Sequence, residues 1–314
     1  MTRPGNKENV QSSLLLQQAN RPKQLTGKSN VFGRLSRLPN LRPACLKLLS
    51  VNIDSPTALS EFEAAFKLDA ALATDLLITA NSPLFGVRVQ VQSIRHAVAM
   101  LGLERVRSLA LTISLQGYAR STRWSSSIQT LWRHSIATAV IAEALGSVDD
   151  KQVPLLYTAG LTHDVGRLAL FQISPEAYQQ VLSREFSGIE EFLELERFLF
   201  ECSHDDAGAF LAMAWGFPIG LCDCIRFHHW DIASHAGQLF ELVGVACRLA
   251  DVLGYPEVQR ANRGEVASEF QKLVPPRLRS CPLLAPEALT ASVEAQLGSF
   301  QPNNNPAAPP VPAR

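Results

Sequence analysis

Apolar residues recur at helical spacing through almost the whole chain, and this most constrains the fold. Leu41, Cys45, Leu48 and Leu49 mark one such face, and Leu72, Leu76, Leu77 and Ala80 another. The pattern resumes over Ala97–Leu103 and Val106–Leu115. It then runs through Trp132–Leu145, Pro154–Leu170, Pro175–Ser183, Ile189–Phe200, Asp205–Trp215, Ile219–His229 and Leu239–Leu253. Only Val87–Gln92 alternates like a strand, and a lone strand makes no sheet, so an extended connector or minor ribbon is expected there. The predicted class is all-α. Leu38-Pro39 is expected to open the first long helix, and Ser60 with Glu63 reads as a capping box for the second. Asn81-Ser82-Pro83 reads as a helix end and turn, and Ser121–Ser127 as a seam between two helical parts.

The ends differ from the body. Up to Pro43 there are eight basic residues (Arg3, Lys7, Arg21, Lys23, Lys28, Arg34, Arg37 and Arg42) against Glu8 alone. That net +7 is offset by −7 in the rest of a chain whose total charge is zero. Residues 1–30 are rich in Asn, Gln and Ser, and 301–314 in Pro and Asn; neither buries enough apolar surface to order itself, so both are expected to be disordered. Residues 261–300 read as a weakly helical extension, with a short helix from Pro286 to Leu297. A neutral chain argues against nucleic acid as a partner except through the basic arm. No apolar run approaches a membrane span or a secretory signal. The six cysteines form no CxxC pair, and Cys222-Asp223-Cys224 is too tight for a zinc knuckle. They read as reduced thiols, and a cytoplasmic location is expected.

Chemistry concentrates in histidine and aspartate. His134, the dipeptide His163-Asp164, His204, the doublet His228-His229 and Asp251 all fall on or beside predicted helices; His96 and His235 stand apart. Taken singly, each histidine reads as a satisfied core or surface residue. Together, imidazole and carboxylate suit manganese, iron, zinc, cobalt or nickel better than calcium or magnesium. Successive helical residues project about 100° apart, so His163 and Asp164 flank a point, and the carboxylate can bridge two ions. Arg133, Arg167 and Arg226 either receive phosphate oxygens or pair on helix surfaces. Trp132 and Trp215 read as core residues.

The order His134, His163-Asp164, Asp251 resembles the HD superfamily of metal-dependent phosphohydrolases, and His204 with His228-His229 resembles the further ligands of its two-metal, HD-GYP-type members. Asp69-Ala-Ala-Leu72, Ala80-Asn-Ser-Pro-Leu-Phe-Gly86, Trp132-Arg-His-Ser135, Gly160-Leu-Thr-His-Asp-Val-Gly166, Trp215-Gly-Phe-Pro218 and the doublet look like the HDOD domain, over about residues 31–260. The resemblance implies a single elongated multi-helical domain, with an N-terminal part (31–120) and a metal-site part (128–260). It also implies one or two divalent metals on His134, His163, Asp164, His204, His228, His229 and Asp251, and a signalling role through a protein partner or a nucleotide or cyclic dinucleotide. If the domain turns over substrate, the resemblance implies phosphohydrolysis with Asp164 and Arg167 as catalytic residues. Two features depart from active HD-GYP enzymes: Trp230 follows the doublet where they carry Glu, and Arg167 stands where they carry Lys. Gly254-Tyr255-Pro256 follows Asp251 instead of preceding it, and reads as a helix C-terminus with no catalytic meaning.

Overall fold

The computed structural model describes residues 31–120, 126–148, 155–229, 238–260 and 266–300. The expected basic arm (1–30), the tail (301–314), residues 121–125 of the seam, Trp230 and His235 lie outside the described residues. The described chain is all-α apart from two strands of two residues each, as the periodicity requires.

Helix α1 (Val31–Leu35) precedes α2 (Pro43–Ser50), which begins at Pro43, later than the Leu38-Pro39 start that the sequence suggested. Arg42, the residue before that proline, is held extended (φ −52°, ψ 129°). Helix α3 (Ala58–Lys67) starts ahead of Ser60, so the expected Ser60–Glu63 box does not form. The Thr57 hydroxyl donates to Glu61 instead, at 2.6 Å, and Glu63 accepts from Arg95 at 2.8 Å. In α4 (Ala70–Ala80), the Leu72 N–H donates to the Asp69 carboxylate at 2.8 Å, a side-chain N-cap. The helix ends at Asn81, whose amide bridges two strands of chain. Its Nδ2 donates to the Leu77 and Val91 carbonyls at 2.8 and 2.9 Å, and the Val91 N–H donates to its Oδ1 at 2.7 Å. Val87–Gln92 is thereby pinned as a connector and pairs with no strand.

Helix α5 (Ile94–Leu101), capped by Ser93, turns at Gly102 (φ +82°) into α6 (Leu103–Arg120). Val106–Leu115 is buried on every side, and α6 receives α2, α4 and α5. The second part is built on α7 (Ser126–Val148), which packs against α8 (Leu156–Thr162), α14 (Gln238–Val252) and α16 (Pro286–Ser299). Between them lie α9 (Val165–Ile173), α10 (Pro175–Leu182), α11 (Ile189–Phe200), α12 (His204–Ala214) and α13 (Ile219–Phe227). Strands β1 (Glu185–Phe186) and β2 (Gln259–Arg260) pair in parallel, and α15 (Val266–Leu273) precedes α16.

The periodicity predicted one helix from Pro154 to Leu170. The structure instead breaks it at His163-Asp164, where Asp164 leaves helical geometry (φ −102°, ψ 14°). Its carboxylate caps no backbone N–H, because both oxygens turn toward histidines and Arg167. Two glycines let the flanking helices close. A β-carbon on Gly160 would stand 2.7 Å from the Ala139 Cα, and one on Gly166 only 1.8 Å from the His204 carbonyl oxygen. Among the described residues, no helix is long and apolar enough to cross a membrane.

Candidate metal centre

Histidines reach the centre from four places, each a helix end or a helix interior. His134 projects from α7, His163 and Asp164 from the α8–α9 break, His204 from the first residue of α12, and His228-His229 from the end of α13. His134, His163 and His204 have no exposed surface, and Asp164 and His228 have 4% and 2%.

The outer nitrogen of each of four rings is already committed. His134 Nδ1 lies 2.7 Å from the Tyr255 carbonyl, His163 Nδ1 2.6 Å from the Gly160 carbonyl and His228 Nδ1 2.7 Å from the Ile225 carbonyl. His204 Nδ1 lies 2.7 Å from the Glu196 carboxylate. A carbonyl oxygen only accepts, so the Nδ1 atoms of His134, His163 and His228 carry protons, and all four Nε2 atoms face inward. His134 Nε2 and His163 Nε2 are 3.2 Å apart. His204 Nε2 stands 3.0 Å from His229 Nε2.

The carboxylates complete the set. Asp164 Oδ1 is 3.3 Å from His204 Nε2 and 3.4 Å from His228 Nε2. Its Oδ2 faces His163 Nε2 at 3.7 Å and His134 Nε2 at 3.9 Å, so one carboxylate spans both pairs of imidazoles. Glu257 Oε1 lies 3.0 Å from His229 Nε2. Asp164 Oδ1, Glu257 Oε1 and His228 Nε2 are buried atoms without a hydrogen-bond partner. Donors bound at about 2.0–2.2 Å to one ion stand about 3.0–3.5 Å apart, so these separations fit divalent transition metal. Asp164, His204, His228, His229 and Glu257 form one group of donors with mutual distances under 4.8 Å.

Arg167 is wholly buried, 3.1 Å from Asp164 Oδ2 and 4.0 Å from Glu257 Oε1. Its Nε donates to the Tyr178 hydroxyl at 3.2 Å, and that hydroxyl donates to Glu196 at 2.6 Å. Three buried carboxylates, Asp164, Glu196 and Glu257, thus surround one permanent cation. Burial drives the Asp164 carboxyl up, yet the permanent charge of Arg167 and hydrogen bonds from the His204 and His228 rings hold it well below the usual carboxylate range. Burial likewise opposes ionisation of Glu257, and His229 and Arg167 overcome it. Desolvation pushes the His163 imidazole down to about 3, which keeps the ring neutral and its lone pair free. His204 goes the other way: against the lowering effect of burial, the carboxylates of Glu196 and Asp164 raise it well above its ordinary value. Without a cation in the centre, those carboxylates favour the protonated His204 ring; a bound metal would take the place of that proton.

Of the residues singled out in the sequence, His134, His163, Asp164, His204, His228 and His229 meet at one place. Asp251 lies on the outer side of His134: its Oδ1 is 3.7 Å from His134 Nδ1 and accepts the Glu257 N–H at 2.5 Å, and with His134 and Glu257 it forms a further group of possible donors within 4.8 Å of one another. Arg133 and Arg226 are on helix surfaces, paired with Glu294 at 2.7 Å and Asp206 at 3.7 Å. Trp132 and Trp215 are core residues. Sequence reasoning missed Glu257, Glu196 and Cys247. Gly254-Tyr255-Pro256 does end a helix, with Gly254 at φ +95°. It does more than that, since Tyr255 gives His134 its carbonyl and the turn delivers Glu257. An open groove of about 870 Å³ runs beside the centre, with Arg133, Arg184, Tyr255 and Glu257 in its walls.

The sequence matches the HDOD domain family over residues 38–230. The chain belongs to the HDOD family. It is 26% identical over 203 residues to an uncharacterised protein of Treponema pallidum (strain Nichols), a match covering 64% of this chain and 39% of that protein. The chain therefore spans well under half the length of this curated relative. An HDOD domain protein of unknown function from Geobacter sulfurreducens superposes with a TM-score of 0.68 at 25% identity, over 84% of this chain and 96% of that one. A Marinobacter aquaeolei VT8 protein, provisionally named for signal transduction, shares the fold with a TM-score of 0.63 at 20% identity, over 84% of this chain and 60% of that one.

Proposed function

We propose that this HDOD protein is a cytoplasmic signalling module that holds one or two divalent transition metals and acts through a protein partner or a nucleotide ligand. The observation that carries the metal is the inward set of Nε2 atoms, facing one another and the unpartnered Asp164 and Glu257 oxygens. His134, His163, Asp164, His204, His228, His229 and Glu257 would hold the ions, and Asp251 would steady His134 and the Glu257 backbone. A bound ion supplies positive charge that the buried carboxylates lack. The chain's own part is orientation: carbonyls and Glu196 fix the rings, and Arg167 keeps Asp164 ionised. Closure of the centre to solvent suits retention of an ion better than repeated exchange of substrate. The name of the Marinobacter protein agrees with a signalling role. The test is metal analysis of full-length protein purified without chelator and after loading with manganese, iron or zinc. At least one ion per chain is expected, and none after loading overturns the reading.

The groove favours a second reading, because it shares Glu257 with the centre and offers Arg133 and Arg184 to an anionic ligand. In that reading the domain is a metal-dependent phosphohydrolase of a nucleotide or cyclic dinucleotide, and Asp164 and Arg167 are catalytic. A nucleotide panel assayed on metal-loaded protein beside the His163→Ala/Asp164→Ala double variant decides it. Hydrolysis confined to the unaltered protein supports turnover, and equal rates in both remove it.

A further inference from the structure

Cys247 of α14 is a buried thiol facing the same centre, unused by anything above. Its Sγ lies 3.6 Å from His134 Nε2 and 3.7 Å from Glu257 Oε2. Cys247, His134 and His163 form a second group of donors, all within 4.8 Å of one another, separate from the five donors of Asp164, His204, His228, His229 and Glu257. The two sides differ in chemistry, sulfur and two imidazoles on one and carboxylates with three imidazoles on the other. A sulfur at about 2.3 Å and a nitrogen at about 2.1 Å from one ion, at a tetrahedral angle, stand about 3.6 Å apart. The Cys247–His134 separation has that value. As a thiol, Cys247 has a single proton to donate, to the Glu257 Oε2 or to the His134 Nε2. Either way the His163 Nε2, in a wholly buried ring, faces the His134 Nε2 at 3.2 Å and the Asp164 Oδ2 at 3.7 Å.

We propose that Cys247 is a thiolate ligand that joins His134 and His163 in a soft subsite selecting zinc over manganese, beside a harder subsite of imidazoles and carboxylates. This rests on the metal-binding reading. On binding, the thiol proton leaves to solvent as the sulfur–metal bond forms, and neither sulfur nor metal changes oxidation state. Thiolate and imidazole favour zinc, whereas carboxylate-rich sites accept manganese readily.

Cobalt(II) tests this in the full chain, because sulfur ligation adds a near-ultraviolet charge-transfer band that nitrogen and oxygen ligands do not. The band is expected in the unaltered protein and in Cys222→Ser, a control thiol whose Sγ donates to the Phe217 carbonyl at 3.6 Å. It is expected to vanish in Cys247→Ser, with loss of one bound ion and a shift of at least tenfold in zinc-over-manganese preference. Stoichiometric cobalt without the band overturns the role of Cys247 and leaves the metal reading standing; no bound cobalt sinks both. Should Cys247→Ser fail to fold, X-ray absorption of the zinc-loaded unaltered protein decides instead. A sulfur neighbour at about 2.3 Å supports the ligand, and a shell of only nitrogen and oxygen overturns it.

Discussion

In the helices from Val31 to Arg120, a buried polar group answers to its own stretch of backbone; around α8 and α9, such groups answer to one another. Thr79 donates to Asp75, Thr112 to Ser108 and Ser114 to Ala110, each to a carbonyl one turn back at 2.8 Å. Arg107, the one buried charge among the described residues there, pairs with Glu104 three residues away and with the Val51 carbonyl. In the second part, His134, His163, Asp164, Arg167, Glu196, His204, His228 and Glu257 are buried together from separate elements. The first arrangement is mostly local, with Arg107 reaching Val51 and Thr112 meeting the Tyr157 hydroxyl as its longer links. The second is collective, because each charge is tolerable only while its neighbours remain.

The largest expected effect comes from breaking the collective arrangement. Arg167→Leu should cost about 3–5 kcal/mol in metal-free protein, since it strands Asp164 and Glu257 without their cation. Urea unfolding with and without metal checks it. The loss should shrink when metal is loaded, and an equal loss in both would break the comparison. A core truncation in the first part, Leu76→Ala, should cost about 3 kcal/mol through lost contacts and a cavity. Its cost should be the same in chelator, measured by the same unfolding; a metal-dependent cost would show that the two parts are energetically one. Asn81→Ala should cost about 1–2 kcal/mol by unpinning Val91, with faster amide exchange confined to residues 81–92. Smallest is Glu63→Gln, which removes a surface ion pair with the exposed Arg95 and should change the unfolding midpoint by at most about 0.5 kcal/mol in free energy.

Much of this was legible from residue order. Helical spacing named the buried faces of α2 and α4, and six of the seven ligands expected from the sequence stand at one place. What escaped has physical reasons. The periodicity of Pro154–Leu170 is unbroken in sequence, because the break at Asp164 is imposed by partners far along the chain. Glu257, Glu196 and Cys247 are ordinary residues at ordinary spacing, and only tertiary closure gives them meaning. The Gly254-Tyr255-Pro256 turn looked like a full stop, yet its backbone carbonyl holds a ring. Ser60 and Glu63 had the right spacing for a cap, but the helix began a turn earlier and Arg95 claimed the glutamate.

The contact between Gly166 and the His204 carbonyl has one more consequence. Because α9 and α12 touch backbone to backbone there, the Asp164 and His204 arms cannot shift independently without parting two helices. The donors are therefore preorganised. The entropy of bringing them together is lost during folding, and a cation entering the centre would meet donors already held in place.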